Sequence, residues 1–386
     1  MDPLILNIIL YLSVVYAYWH KYHKFTATFV IILMYAIFAV NAYLLWNYGE
    51  YKWGPYQKQP LSFIPYVYTF VGFLIFLSPI FKRNLQQKLI IVPISNKKAN
   101  VLYWFFLIEL LLGALLNFSH ATSVTDFTDV YHSETAVSTG LAGQLRIVST
   151  AVYLPALALI GYYSSDMMLN MKRAFLLLFA YFFNNIIEAM TCGSRGVLFF
   201  AVLNVLILLF IFRDSINAKI KKILLVSTIG TTLFVFSIAL AISVDRFGDE
   251  AWNWIYSYFG EPFLNISLYY WNAPFTTGGA ITFAPFVKIN YYDHNYIMVL
   301  FKLFSGQAML DFGVIGGLVF LIIISFILYL MMPRGKYLTF NKAMVLIYAY
   351  YHCMFGVFGI RVYGWSAYAL LIVLYYYTKQ RRIKNN

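Results

Sequence analysis

Residues Met309 to Met332 read MLDFGVIGGLVFLIIISFILYLMM, with one charge, Asp311, and with Pro333-Arg334-Gly335-Lys336 directly after. A helix in a soluble protein shows one apolar stripe, whereas this run is apolar all round. At 1.5 Å per residue it is about 36 Å long, enough to cross a hydrocarbon core of about 30 Å. Ten further runs of similar character lie at about 3–19, 25–45, 61–81, 101–118, 144–163, 174–192, 197–212, 222–244, 341–359 and 363–378. Eleven spans of about 20 residues take up about 220 of the 386 and leave short connections and one long one. The composition agrees, being 62% hydrophobic and 11% charged, where soluble domains run at about 45–50% and about 25%. A soluble domain is excluded. The reading is an all-α polytopic membrane protein, one integral membrane domain over 1–386. Met1-Asp2-Pro3 carries no basic region and no cleavage site follows the first run, so that run is expected to be a retained span.

The charges give the orientation. Alternate connections hold Lys21 and Lys24; Lys82, Arg83, Lys88, Lys97 and Lys98; Lys172 and Arg173; Arg213, Lys219, Lys221 and Lys222; Arg334, Lys336 and Lys342; and Lys379, Arg381, Arg382 and Lys384. Basic connections stay cytoplasmic, which puts the N-terminus outside and the C-terminus inside, as an odd number of spans requires. Acidic residues show the reverse bias, with Asp126, Asp129 and Glu134 in one outer connection and Asp245, Asp249, Glu250, Glu261 and Asp293 in another. The net charge of +13 therefore describes a rim beside anionic lipid and not a nucleic-acid footprint.

Residues 245–305 form the long outer loop, far beyond ordinary connection lengths and expected to hold short helices. It is dense in rings, among them Tyr258, Phe259, Phe263, Tyr269, Tyr270 and Trp271, which a disordered segment lacks. Such rings fit an aromatic belt at the headgroups or a groove for sugars, and the two are compatible. Three outer arginines stand near glycines: Arg195 in Gly193-Ser194-Arg195-Gly196, Arg246 in Asp245-Arg246-Phe247-Gly248, and Arg361 in Gly359-Ile360-Arg361-Val362-Tyr363-Gly364. An arginine there can simply snorkel to headgroup phosphate. Three of them at one depth, on the face where basic residues are scarce, point instead to a site, because guanidinium forks suit a diphosphate and its developing charge. Within the spans, Glu188 lies seven residues before Arg195 on one helix face and is read, like His352, as structural. Cys192 and Cys353 both lie in apolar runs, and no His or carboxylate spacing forms a metal site, so neither metal nor cofactor is expected.

Three short pieces, in this order and placement, carry a resemblance: Gly193-Ser194-Arg195-Gly196 opening a span, Tyr258-Phe259-Gly260-Glu261-Pro262-Phe263-Leu264-Asn265 in the long loop, and Asp311-Phe312-Gly313-Val314-Ile315-Gly316 opening the next span. The chain resembles the bacterial oligosaccharide repeat-unit polymerases, the O-antigen polymerase or Wzy-like family, and more distantly the O-antigen ligases. It departs from them in places. The Arg-x10-Gly spacing of some polymerases is absent, since Leu206, Ser257 and Ile372 stand eleven residues after Arg195, Arg246 and Arg361. A ligase-like His-Asn is approached by His294-Asn295, but Gly306 comes one residue late.

The resemblance implies a multi-pass enzyme of the bacterial cytoplasmic membrane, acting on its outer side. It would move a glycan from undecaprenyl diphosphate onto a second lipid-linked repeat unit, with a flippase and a chain-length regulator as partners. Arg195, Arg246 and Arg361 would contact the diphosphate. Glu261 and His294 would serve as base or orient the hydroxyl, with Tyr258, Asn265, Trp271 and Asp311 toward sugar. Asp311 also reads as the N-cap of the ninth span. Readings from other classes are a lipid-linked sugar transporter, which would favour repeated halves and broken helices, a membrane acyltransferase, and a scaffold.

Overall fold

The computed structural model describes residues 2–48, 60–82, 89–123, 140–192, 195–248, 251–273, 275–283, 303–333, 335–358 and 364–379. The chain is mostly helical. Among the described residues there are twelve α-helices: α1 Pro3–Tyr22, α2 Ala27–Tyr48, α3 Phe63–Lys82, α4 Asn96–Ser123, α5 Gly140–Tyr163, α6 Met171–Cys192, α7 Arg195–Phe212, α8 Ala218–Phe247, α9 Ala251–Asn265, α10 Phe304–Met331, α11 Phe340–Phe355 and α12 Gly364–Thr378. Each of the eleven apolar runs falls on one of them, and α9 comes from the long loop. Helices α1, α2, α3, α4, α6 and α10 are long and apolar enough to cross a membrane, while α5, α7 and α12 carry shorter apolar stretches. The first begins as its sequence dictates, with the Asp2 carboxylate accepting the Leu4 N–H at 2.7 Å and Pro3 in the opening turn.

The chain divides into two compact units. The first comprises Met1–Asn84, Glu250–Met331 and Ala349–Val362. Its core is aromatic. Tyr11 of α1, Tyr35 of α2 and Phe73 of α3 meet with ring centres 4.8–6.2 Å apart, and Phe263 of α9 joins them 5.1 Å from Tyr11. The Tyr35 hydroxyl donates to the Cys353 carbonyl at 2.8 Å. Helix α9 lies so close to α2 that a methyl on Gly260 would stand 2.7 Å from the Asn41 carbonyl oxygen. Among the loop's described rings, Phe263, Tyr269 and Tyr270 are buried and belong to this core, while Tyr258 and Trp271 are half-buried. After α9 the backbone widens into one π-helical turn, Ile266–Tyr270.

Helix α10 is two helices in one. Gly313 has φ 77° and ψ 176°, a conformation essentially reserved for glycine. Nine residues of straight helix rise about 14 Å, yet a methyl on Gly317 would lie 3.0 Å from the Ala308 carbonyl. Ser305 and Leu321, eight residues to either side of Gly313, both come within 3.3 Å of where a methyl on Gly72 of α3 would be. The chain thus reverses at Gly313, with a short arm over 304–312 and a long one over 314–331. The sequence predicts a plain span over 309–332; three glycines in five residues, 313, 316 and 317, permit the reversal that hydropathy does not register.

The second unit comprises Leu85–Asp249, Met332–Tyr348 and Tyr363–Asn386. Helices α4, α5 and α6 pack around a polar seam, in which the Tyr153 hydroxyl donates to Asn184 Oδ1 and Asn184 Nδ2 donates to the Leu110 carbonyl. At one end two short strands, β1 Ile90–Ile91 and β2 Tyr337–Leu338, pair in parallel. The Tyr162 hydroxyl donates to the Leu338 carbonyl at 2.6 Å and pins them to α5. On α8, Leu233, Phe234 and Phe236 are exposed, as suits side chains that face lipid.

Candidate functional site

Helix α9 sets the first unit's chemistry. Ser257, Glu261 and Asn265 are spaced four apart and so share one helix face. All three are buried, with Glu261 only 3% exposed. The Ser257 hydroxyl hydrogen-bonds the Glu261 carboxyl, and Glu261 Oε1 has no partner among the described residues. Burial pushes this carboxyl up to about 8, with the Ser257 hydrogen bond acting the other way. Helix α9 is not one of the helices suited to span, and Pro262 is tolerated within it. What results is a carboxyl held mostly neutral at pH 7, with one unfilled oxygen. Trp271, just beyond the π turn, stands edge-on to Tyr68 with ring centres 5.6 Å apart.

Asp311 has a different task from the cap expected of it. It lies in the short arm of α10, fully buried, and its carboxylate accepts the Thr277 hydroxyl, the Ile281 N–H at 3.1 Å and the Thr282 N–H at 2.8 Å. Gln307, one turn earlier, donates to the Thr282 hydroxyl at 3.2 Å. The Thr277 N–H returns to the Leu310 carbonyl at 2.9 Å. Because the chain reverses at Gly313, Asp311 cannot open the long arm and instead ties residues 277–282 to the short one. Thr277, Thr282 and Gln307 are the members that sequence reasoning missed; nothing local in the sequence pairs the two threonines with an aspartate about thirty residues away.

Tyr258, Glu261, Asn265, Trp271 and Asp311 all fall in the first unit. Arg195 is the first residue of α7 and Arg246 lies in the last turn of α8, both in the second unit. The backbone of α8 runs to Phe247, past the expected end of its run at about 244. The side chains of Arg195 and Arg246, and Arg361 and His294 altogether, lie outside the described residues. On α6 Glu188 is buried, and on α11 His352 has its ring 5.1 Å from that of Phe76. Among the described residues no three His, Cys, Asp or Glu side chains gather as metal ligands. No protein-family model, no curated protein and no solved structure matches the chain.

Proposed function

We propose that the chain is a glycosyltransferase of the repeat-unit polymerase kind, with all eleven runs crossing the bacterial cytoplasmic membrane and the 245–305 segment outside. An acceptor sugar's hydroxyl oxygen attacks the anomeric carbon of the donor glycan, and its proton passes to Glu261. The bond from that carbon to phosphate oxygen breaks, and the undecaprenyl diphosphate leaves with the electron pair. One observation carries the reading. A carboxyl on the long loop's own helix is buried, has one oxygen without a partner among the described residues and is pushed by burial to about 8, so that the ionised fraction present at pH 7 is a strong proton acceptor.

Arg195, Arg246 and Arg361 are assigned the diphosphate. The first residue of a helix sits at the positive end of the helix dipole, where a cation weakens the helix and an anion strengthens it. Arg195 in that place is favourable with a phosphate beside it, bound by the guanidinium and the first-turn N–H groups together. A flippase and a chain-length regulator are the partners that the resemblance implies.

In the test, purified protein in proteoliposomes receives lipid-diphosphate repeat units and the products are separated by length. Glu261→Gln should lower the rate by about 10²-fold or more, the usual worth of a positioned base, and Arg195→Ala should abolish elongation while the protein still inserts. Full-length ladders from both variants overturn the assignment. One observation favours a second reading, carriage of a lipid-linked sugar: the break at Gly313 and the short arm before it are of the kind that lines transporter sites. Movement of the lipid between leaflets with no new glycosidic bond would decide for carriage.

A further inference from the structure

Where α4 begins and α12 ends, the second unit holds a cavity of about 740 Å³ lined by Pro93, Ile94, Ser95, Asn96, Lys98 and Lys379, with Thr378 beside them. Among the described residues that line it are two lysines and no aspartate or glutamate. Lys98 is fixed in place: its Nζ donates to the Tyr377 carbonyl at 2.6 Å and stands 5.2 Å from the centre of that ring. An ammonium has three donors, so two remain for the cavity. The Lys379 ammonium stands 5.7 Å from the centre of the Tyr376 ring. At the start of α4 the Ala99 N–H closes onto the Ser95 carbonyl at 2.9 Å, and the N–H groups before it have no partner within the helix. The surrounding surface is amphipathic. Tyr376 and Tyr377 are exposed beside the lysines, the arrangement that sits at a bilayer's polar boundary, while Pro93 and Ile94 give the cavity an apolar wall.

We propose that this cavity binds the phosphate of an anionic phospholipid headgroup, with Lys98, Lys379 and the opening turn of α4 on the phosphate and Pro93 and Ile94 against the glycerol carbons. A soluble phosphate compound presents the same oxygens. The tyrosine belt and the apolar wall favour the lipid. The site stands independently of any transferase activity.

Full-length protein in neutral detergent is given equal amounts of phosphatidylglycerol and phosphatidylcholine and weighed intact by native mass spectrometry. The expected result is preferential retention of phosphatidylglycerol. The double variant Lys98→Gln, Lys379→Gln should weaken it about thirty-fold, and Lys379→Gln alone, which leaves the Lys98 contact to Tyr377 intact, about five-fold. Lys379→Arg should keep it, as should Lys222→Gln, which removes a lysine outside the cavity. Equal retention of both lipids, no loss in Lys379→Gln, or an equal loss in Lys222→Gln overturns the site. Displacement of the lipid by millimolar inorganic phosphate assigns the cavity to a soluble phosphate compound and overturns the lipid.

Discussion

A carboxyl whose native pKa stands near 8, against 4.5 when free, favours the fold most where it is protonated in both states. For Glu261 that means below about pH 4.5. Between 4.5 and 8 the unfolded chain ionises while the native one resists, so stability falls as pH rises through this window. Glu261→Gln keeps the shape and removes the titration. The variant should unfold about 5 °C higher than the parent at pH 8 and at nearly the parent's temperature at pH 4.5. Thermal unfolding in detergent at the two pH values measures this; an equal difference at both would mean that folding does not shift the Glu261 pKa, and a variant less stable than the parent at pH 8 would mean that Glu261 is ionised and paired. The sequence marks Glu261 as a residue of interest from its setting between Gly260 and Pro262. The aromatic stretch suggests apolar surroundings for it, but their source, α2 lying against α9 through Gly260, is not legible there.

The hairpin in α10 shows what hydropathy can and cannot read at the level of an element. The run over 309–332 is plain, since every residue that meets lipid must be apolar. Its direction is not, because apolarity has no sign along the chain. Gly313 alone gives notice of a reversal, and a glycine permits a positive φ without requiring it. Gly313→Ala forces a side chain into that conformation and should destabilise the first unit by about 1–3 kcal/mol. Asp311→Ala leaves the buried Thr282 N–H without an acceptor, at about 1–3 kcal/mol, and the part-buried Ile281 N–H at less. Asp311→Asn keeps an acceptor oxygen and should lose less. Unfolding temperatures of the three variants rank them; if Asp311→Ala matches the parent, residues 277–282 are held by something other than this carboxylate.

Across the whole molecule the alternation of basic and acidic connections predicts which ends of the helices face the cytosol. Lys222 at the start of α8 belongs to the basic set, while Asn272 follows the π turn in the acidic, ring-rich loop. Cysteine at Asn272, which is exposed, should react with a membrane-impermeant maleimide in intact cells, and cysteine at Lys222 only after the cells are opened. The opposite pattern would invert the orientation and take Glu261 off the outer side. All eleven apolar runs were legible as helices because a lipid-facing helix cannot disguise its composition. Helix α9 was legible only as one of the short helices expected in the long loop and not by its bounds, since its Glu, Pro and Gly interrupt the hydropathy and its apolar face is spent on α2.

The discontinuity of the first unit bears on how the chain is made. Its opening helices, α1 to α3, leave the ribosome long before their partners, and residues 85–249 must be synthesised before α9 and the short arm of α10 exist. An arm over 304–312 is about 14 Å long, half a bilayer's thickness, and cannot be threaded into lipid by itself. It needs α3 already standing, with Gly72 open to receive it. During biogenesis α1 to α3 must therefore wait with their aromatic faces uncovered, a period in which a membrane chaperone would have something to hold.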